Sequence, residues 1–214
     1  EGFVLPAAID KAVYMAMKPR MDGHISITAH DLGKTYETSV TDLMPDAKRG
    51  WANYVIGPAA QLKNAGVELN GFDAVITSTV PMGSGLSSSA ALECATVFAL
   101  NHLHHANMDR MQMVKMAQKA EHEYAGVMCG IMDQFASMMG KKNHVIKLDC
   151  KTLEYEYVPL ALKDYKILLL NTNVKHSLAS SAYNTRRQEC EQAVAWVNEH
   201  HPQVHSLRDV TLHM

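Results

Sequence analysis

Residues 72–92 of the chain, FDAVITSTVPMGSGLSSSAAL, change in composition twice. β-Branched residues at positions 75, 76, 77, 79 and 80 predict a strand over Phe72–Val80. A loop rich in glycine and serine follows over Pro81–Ser89, and helical spacing then runs over Ala90–Leu103. The sequence therefore predicts a strand, a loop and a helix in direct succession.

The loop carries residues that suit a phosphate group. Gly83 and Gly85 allow positive φ angles and a close approach of the backbone to a ligand. Ser87, Ser88 and Ser89 add hydroxyls and unpaired N–H groups at the positive end of the helix dipole. No lysine follows the glycines, which excludes a Walker A loop, and Ser88 occupies the third glycine position of the Rossmann fingerprint. On these residues alone, a serine-rich N-cap on a flexible loop remains an equal alternative.

The rest of the chain mixes strands and helices. Further strands are predicted over Phe3–Leu5, Ala12–Lys18, His24–His30, Lys34–Val40, Val145–Asp149, Glu154–Val158 and Tyr165–Asn171. Further helices are predicted over Trp51–Ala65, Asp109–Tyr124, Met132–Met139 and Ala182–Glu199. This order favours an α+β fold over a doubly wound sheet. We expect a domain boundary near Asp164, with residues 1–164 forming a first domain and 165–214 the start of a second.

Composition excludes several classes of protein. The chain has 214 residues, 47% of them hydrophobic, and a formal net charge of -2, so it lacks the basic surface of a nucleic-acid-binding protein. No apolar run approaches the roughly 18 residues of a membrane span. The four cysteines form no C-x-x-C pair, which argues against a zinc site or a disulfide scaffold and fits a reducing cytosol. We therefore expect a cytoplasmic protein that binds neither nucleic acid nor membrane.

Three separated motifs resemble one family. The string from Pro81 to Leu92 resembles the phosphate-binding loop of the GHMP kinases, and its triple serine is most similar to the galactokinase branch. Residues 120–126 and 129–137, AEHEYAG and CGIMDQFAS, resemble the catalytic segment of that branch. Residues 171–183, followed by Arg186 and Arg187, are similar to its sugar-side segment. The resemblance implies the GHMP kinase fold, with a ribosomal protein S5 domain 2-like N-terminal domain and the start of a C-terminal α+β domain.

The resemblance also implies an activity and its ligands. A galactokinase transfers the γ-phosphate of ATP to the anomeric hydroxyl of galactose, so galactose and MgATP are the expected partners, and a monomer is expected for the full-length protein. The expected ATP-phosphate-binding residues are Gly83, Ser84, Gly85, Leu86, Ser87, Ser88 and Ser89. The expected Mg²⁺ ligands are Ser89 and Glu121. The expected sugar-binding residues are Gly130, Asp133 and Tyr183, with Asp133 as the catalytic carboxylate.

Each of these residues also has a purely structural interpretation. Asp133 is a candidate N-cap for a helix over Gln134–Met139. Glu121 is a candidate for a solvated helix face, Gly130 for a plain turn glycine and Tyr183 for a half-buried helix tyrosine.

One family signature is absent from the chain. The segment GRVNLIGEHTDY precedes, in the family, the residues that begin here at Glu1. Its absence, and the end of the chain at Met214, lead us to expect a fragment of a longer protein. Two alternatives to a galactokinase stay open, namely a GHMP kinase for another substrate such as N-acetylgalactosamine, and a non-catalytic regulator that binds galactose and ATP.

Overall fold

The structure is a computed structural model that describes residues 2–170 and 179–214, without the side chains of residues 179–181. The strands are β1 (Phe3–Val4), β2 (Val13–Pro19), β3 (His24–Ala29), β4 (Lys34–Ser39), β5 (Phe72–Ser78), β6 (His144–Asp149) and β7 (Tyr155–Pro159). The α-helices are α1 (Asn53–Asn64), α2 (Ser88–Leu103), α3 (Arg110–Ala120), α4 (Met132–Met139) and α5 (Ala179–Asn198). A π-helical turn, Glu121–Ala125, extends α3, and short 3₁₀ segments lie at His30–Leu32, Ala47–Ala52 and Leu207–Asp209.

A four-stranded sheet in the order β2–β5–β3–β4 carries the central strand β5. Strand β5 pairs antiparallel with β2 and parallel with β3, so that Ile76 lies opposite Met15 and Ala74 opposite Ile27. Parallel neighbours need a crossover, and here the chain passes from β3 to β5 through β4 and α1. The alternation of apolar residues in β3 and β5 buries one face of the sheet, with Ile25, Ile27, Phe72, Ala74 and Ile76 in the core.

Helices α1, α2 and α3 complete that core. They bury Val55, Ile56, Ala59, Leu62, Val97, Leu100, Met113, Val114 and Ala117 in the same hydrophobic cluster as the sheet residues. Helix α4 adds Phe135, which is fully buried. Because α2 is held in this layer by its apolar face, its first turn is fixed just beyond the end of β5.

A separate antiparallel sheet has the order β1–β6–β7. Phe3 lies opposite Asp149, and the N–H of Ile146 donates to the carbonyl oxygen of Pro6 at 2.8 Å, which continues the pairing past the end of β1. Ile146 and Leu148 bury the inner face of this sheet.

The mixed α+β class predicted from the sequence is confirmed, with one strand predicted wrongly. Residues 165–170 form no strand, and residue 171 lies outside the described part of the chain. Tyr165 and Leu168 are largely exposed, because no strand among the described residues pairs with this segment. The boundary near Asp164 stays a prediction. Within residues 2–170 and 179–214, no helix combines the length and the apolar composition that crossing a membrane requires.

Candidate functional site

The loop between β5 and α2 adopts the backbone conformation that its glycines permit. Gly83 and Gly85 have φ angles of 69° and 77°. Ser87, immediately before α2, is also left-handed, with φ 58° and ψ 45°. A non-glycine residue in this region is uncommon and costs backbone energy, which is typical of ligand-binding loops.

The hydroxyl of Ser87 does not cap the helix. Ser87 occupies the N-cap position and its carbonyl accepts from the N–H of Ala91 at 3.0 Å, but its side chain makes no capping hydrogen bond. The Ser84 hydroxyl donates to the carbonyl of Pro81 at 2.7 Å and closes the loop onto itself. A serine therefore occupies the N-cap position, as the alternative interpretation predicted, but its hydroxyl does not cap the helix. The backbone N–H groups at the start of α2 thus stay available to an anion.

The loop between β5 and α2 lines two cavities. One, of about 380 Å³, is here called the aromatic cavity, and its walls include Trp51, Tyr54, Ser88 and Ser89. The other, a groove of about 650 Å³, is here called the Asp133 groove and is lined by Asp133 and by the loop residues Gly85, Leu86 and Ser87. The predicted phosphate-binding loop thus faces one cavity with its last two serines and the other with its middle residues.

Asp133 is the second residue of α4, and not its N-cap. The N-cap position belongs to Ile131, which makes no side-chain capping hydrogen bond. The structural interpretation of Asp133 as a cap is therefore wrong. Asp133 is partly exposed, and its carboxylate makes no hydrogen bond among the described residues. It lies in the first turn of α4, where the helix dipole favours a negative charge.

Glu121 is buried, and its interpretation as a solvated helix residue is wrong. Only 6% of Glu121 is exposed, because α1 and α2 pack against the π-helical turn that it begins. Its Oε2 atom accepts hydrogen bonds from Gln134 Nε2 at 2.6 Å and from Cys129 Sγ at 3.3 Å. Burial, followed by the charge of Glu121, raises the pKa of the neighbouring Glu93 to about 10 and also raises the pKa of the Cys129 thiol.

The peptide bond between Cys129 and Gly130 is held in one orientation by side chains of α3 and of the π-helical turn. The carbonyl oxygen of Cys129 accepts from Gln118 Nε2 at 3.2 Å and lies 2.9 Å from His122 Nε2. In a trans peptide the N–H points opposite to the C=O, so the Gly130 N–H points away from α3. Gly130 is exposed, and its N–H makes no hydrogen bond among the described residues, which leaves this N–H available to a ligand.

Tyr183 lies near Asp133. Partial burial raises the pKa of the Tyr183 phenol, and the negative charge of Asp133 raises it further. The adjacent Asn184 donates from Nδ2 to the carbonyl of Gly126 at 2.8 Å and accepts from the N–H of Met128 at 2.9 Å. Tyr183 thus lies within electrostatic range of Asp133, whereas residues 171–178 of the predicted sugar-side segment lie outside the described residues.

Known proteins with similar sequences and structures identify the fold. The family model for the GHMP kinases N terminal domain matches residues 53–141, from the start of α1 to just past the end of α4. A galactokinase from Thermotoga petrophila is 40% identical over 211 residues, which cover 99% of this chain and 57% of that protein. Residues 53–141 form a GHMP kinases N-terminal domain. The fold implied by the sequence motifs is therefore confirmed.

Further proteins that are similar to the chain are also galactokinases. The one from Clostridium tetani is 38% identical over 199 residues, which cover 92% of this chain and 51% of that protein. The solved structure of Lactococcus lactis galactokinase complexed with galactose superposes with a TM-score of 0.91 at 36% identity, over 98% of this chain and 55% of that one. The chain thus spans about half the length of the curated relatives it matches.

The family implies a metal ion, and the predicted ligands fit Mg²⁺. Mg²⁺ takes oxygen ligands, usually one or two carboxylates together with phosphate oxygens and water. The hydroxyl of Ser89 and the carboxylate of Glu121 are such oxygens. Ser89 lines the aromatic cavity together with Tyr54. The pKa of Tyr54 is raised by burial and then by the charge of Glu121.

Several residues of this region were not predicted from the sequence. They are Trp51, Tyr54, Glu93, Gln134 and Asn184. Glu93 offered one visible signal, since it is an acidic residue inside the apolar run ALECATVFAL, one helical turn after Ser89. The sequence around Trp51 and Asn184 carries no signal of a site residue, because each reaches the site through contacts with residues distant in sequence.

Proposed function

We propose that the protein containing this chain is a galactokinase, which transfers the γ-phosphate of MgATP to the anomeric hydroxyl of galactose and yields galactose 1-phosphate and ADP. One observation carries the proposal, namely that the loop between β5 and α2 lines both the aromatic cavity and the Asp133 groove. Phosphoryl transfer requires a donor nucleotide and an acceptor hydroxyl on either side of the transferred phosphate. The galactokinase relatives support galactose as the acceptor.

The nucleotide side uses the aromatic cavity. A cavity of about 380 Å³ beside Trp51 and Tyr54 suits a purine base, which gains from stacking on aromatic side chains. The phosphates then extend along the loop. The residues that contact them in this proposal are Gly83, Ser84, Gly85, Leu86, Ser87, Ser88 and Ser89. The positive end of the α2 dipole stabilises their negative charge.

Ser89 and Glu121 would hold Mg²⁺ in this proposal. Mg²⁺ held by these residues would supply positive charge that stabilises the phosphate during transfer. Glu121 is suited to this role because its burial keeps its carboxylate in a restricted orientation.

The acceptor side uses Asp133. Its carboxylate orients the anomeric hydroxyl and accepts the proton that leaves when the hydroxyl oxygen forms a bond to the γ-phosphorus. The bond between that phosphorus and the bridging oxygen of ADP breaks in the same process. The backbone N–H of Gly130 and the phenol of Tyr183 supply hydrogen bonds to the sugar.

We also propose that the protein acts as a monomer in the cytoplasm. All four cysteines are free thiols, which is the usual state in a reducing compartment.

A substrate panel tests the proposal. The longest open reading frame that contains this chain is expressed, and ADP release is measured with MgATP and galactose, N-acetylgalactosamine, mevalonate or no acceptor. We expect ADP release that depends on galactose. ADP release with N-acetylgalactosamine alone would mean that this sugar, and not galactose, is the substrate. Binding of galactose and ATP without ADP release would identify a regulator instead of an enzyme.

A further inference from the structure

Gln134 lies fully buried where three helical elements meet. From the first half of α4, its Nε2 atom donates to Glu121 Oε2 at 2.6 Å and to Glu93 Oε2 at 3.3 Å. Glu93 belongs to α2 and Glu121 begins the π-helical turn that follows α3. One side-chain amide therefore joins α2, the π-helical turn and α4.

Each element that Gln134 joins carries a residue of the proposed site. Glu93 follows Ser89 by four residues on α2, so the two lie on the same face of the helix one turn apart. Asp133 directly precedes Gln134 on α4, and Glu121 is itself a direct partner of the amide. The amide thus links Glu121, one proposed metal ligand, to the helix that carries the other, Ser89.

Stability does not account for these polar residues. Glu93 and Gln134 are 0% exposed, and Glu93 Oε1 and Gln134 Oε1 find no hydrogen-bond partner among the described residues. Buried polar groups that stay unpaired cost free energy, and apolar residues of similar volume at such positions are often neutral or stabilising. The combination of a costly buried cluster and three adjacent site residues points to a functional role.

We propose that Gln134 is a positioning residue, whose amide holds the Glu121 carboxylate in the orientation that binds Mg²⁺ and anchors it, through Glu93, to the helix that carries Ser89. This inference rests on the proposed function, because it takes Ser89 and Glu121 as the metal ligands. Residues that orient a metal ligand typically change metal affinity by about 10–100-fold when they are substituted.

The test replaces Gln134 by methionine in the protein expressed from the longest reading frame. Gln134→Met keeps the unbranched shape and removes the donor. Binding of Mn²⁺, a paramagnetic substitute for Mg²⁺, is measured with a non-hydrolysable ATP analogue and without turnover. We expect the Mn²⁺ affinity to fall about tenfold or more, while equilibrium galactose affinity without nucleotide stays unchanged.

Gln61→Met provides a matched control. Gln61 is also buried, and its Nε2 donates to Glu123 Oε2 at 2.6 Å, the same distance as in the Gln134–Glu121 bond. Glu123 lies two residues after Glu121 and outside the proposed site. The control variant loses an equivalent hydrogen bond, and we expect its Mn²⁺ affinity to equal that of the wild type.

A second variant covers the case in which Gln134→Met does not fold. Glu93→Met removes a buried carboxyl group and leaves the Gln134–Glu121 bond in place, so folding is expected. We expect it to weaken Mn²⁺ binding in the same direction and by a smaller factor. Unchanged Mn²⁺ affinity in a folded Gln134→Met or Glu93→Met variant would overturn the inference, as would an equal loss of Mn²⁺ and galactose affinity.

The failure of the proposed function gives a different result. If the wild-type protein binds Mn²⁺ with the ATP analogue but releases no ADP with galactose, the proposed reaction is wrong. The Mn²⁺ measurements on the variants then still decide whether Gln134 positions the metal ligand.

Discussion

The side-chain oxygen of Asn184 lies 2.9 Å from the backbone nitrogen of Met128 and accepts its hydrogen bond. With the second bond, from Asn184 Nδ2 to the carbonyl of Gly126, it connects helix α5 to the segment that leads to Gly130. Tyr183 precedes Asn184, so this amide restrains the position of the tyrosine relative to Asp133.

Replacing Asn184 by alanine is expected to raise the KM for galactose. Losing two hydrogen bonds, each contributing about 1 kcal/mol, corresponds to about a tenfold or greater change, while the KM for ATP stays the same. Steady-state kinetics measure both constants. Asn198→Ala is the control, because Asn198 makes two comparable hydrogen bonds at the other end of α5, to the carbonyls of Pro202 and Val204. An unchanged galactose KM in Asn184→Ala would show that the amide does not position Tyr183.

Trp51→Ala tests the nucleotide side. Trp51 lines the aromatic cavity, and loss of its ring removes the stacking surface that we assign to the purine base. We expect the dissociation constant for ATP to rise about tenfold, with galactose binding unaffected, as measured by calorimetry. The chain has one other tryptophan, Trp196, which is largely exposed on α5 and serves as the matched substitution. Equal ATP affinities for the two variants would place the base elsewhere.

Gly57→Ala is expected to destabilise the fold. A Cβ at Gly57 in α1 would lie 2.9 Å from Tyr124 Cγ and 3.1 Å from Ala120 Cβ. Tyr124 is buried and its hydroxyl donates to the carbonyl of Leu43 at 2.6 Å, so it has little room to move. Alanine gains about 1 kcal/mol in helix propensity, but overpacking costs about 1–3 kcal/mol, and we expect the clash to dominate.

Urea denaturation of Gly57→Ala measures this balance. Gly2→Ala is the control, because a Cβ at Gly2 meets nothing within 4 Å. A Gly57→Ala variant as stable as the wild type would mean that α1 and the π-helical turn separate easily.

The ion pair between Arg208 and Asp149 predicts a pH dependence. Arg208 Nη2 donates to Asp149 Oδ2 at 2.8 Å, and the guanidinium holds the pKa of Asp149 well below its usual range. A carboxylate with a lowered pKa in the folded state adds stability above its unfolded pKa of about 4, and this contribution disappears as the pH falls.

Arg208→Met is therefore expected to lower the free energy of unfolding at pH 7 and to change it less at pH 3. Thermal unfolding of both proteins across this range measures the difference. Lys147→Met removes an exposed ion pair with Glu156 and is expected to have little effect at either pH. A destabilisation by Arg208→Met that is the same at pH 3 and pH 7 would contradict the assignment.

Local sequence signals predicted the fold and the loop well. The strand over Phe72–Val80, the loop with Gly83 and Gly85, and the helix over Met132–Met139 follow from features within a few residues, namely β-branching, glycine and helical spacing. The wrong strand over Tyr165–Asn171 has the right composition, but a strand also requires a neighbour, and no local pattern supplies one.

The burial and the partners of several site residues depend on packing between elements that are distant in sequence. Glu121 is compatible with a surface position on its own helix, and it is buried because α1 and α2 pack against the turn that it begins. The bond between Gln134 and Glu93 joins residues 41 positions apart, and the bonds of Asn184 cross 56 or more. Such contacts depend on how elements pack, which the periodicity of a single segment does not encode.

The galactose-dependent release of ADP by wild type and by Asp133→Asn is the most direct test of the central claim. Asp133→Asn keeps the size of the side chain and removes the proton acceptor, and Asp164→Asn is an exposed control outside the groove. The account predicts galactose-dependent turnover in the wild type and in Asp164→Asn, with kcat reduced about 100-fold or more in Asp133→Asn. An Asp133→Asn variant that turns over galactose at the wild-type rate, or a wild-type protein that releases no ADP with galactose, would contradict it.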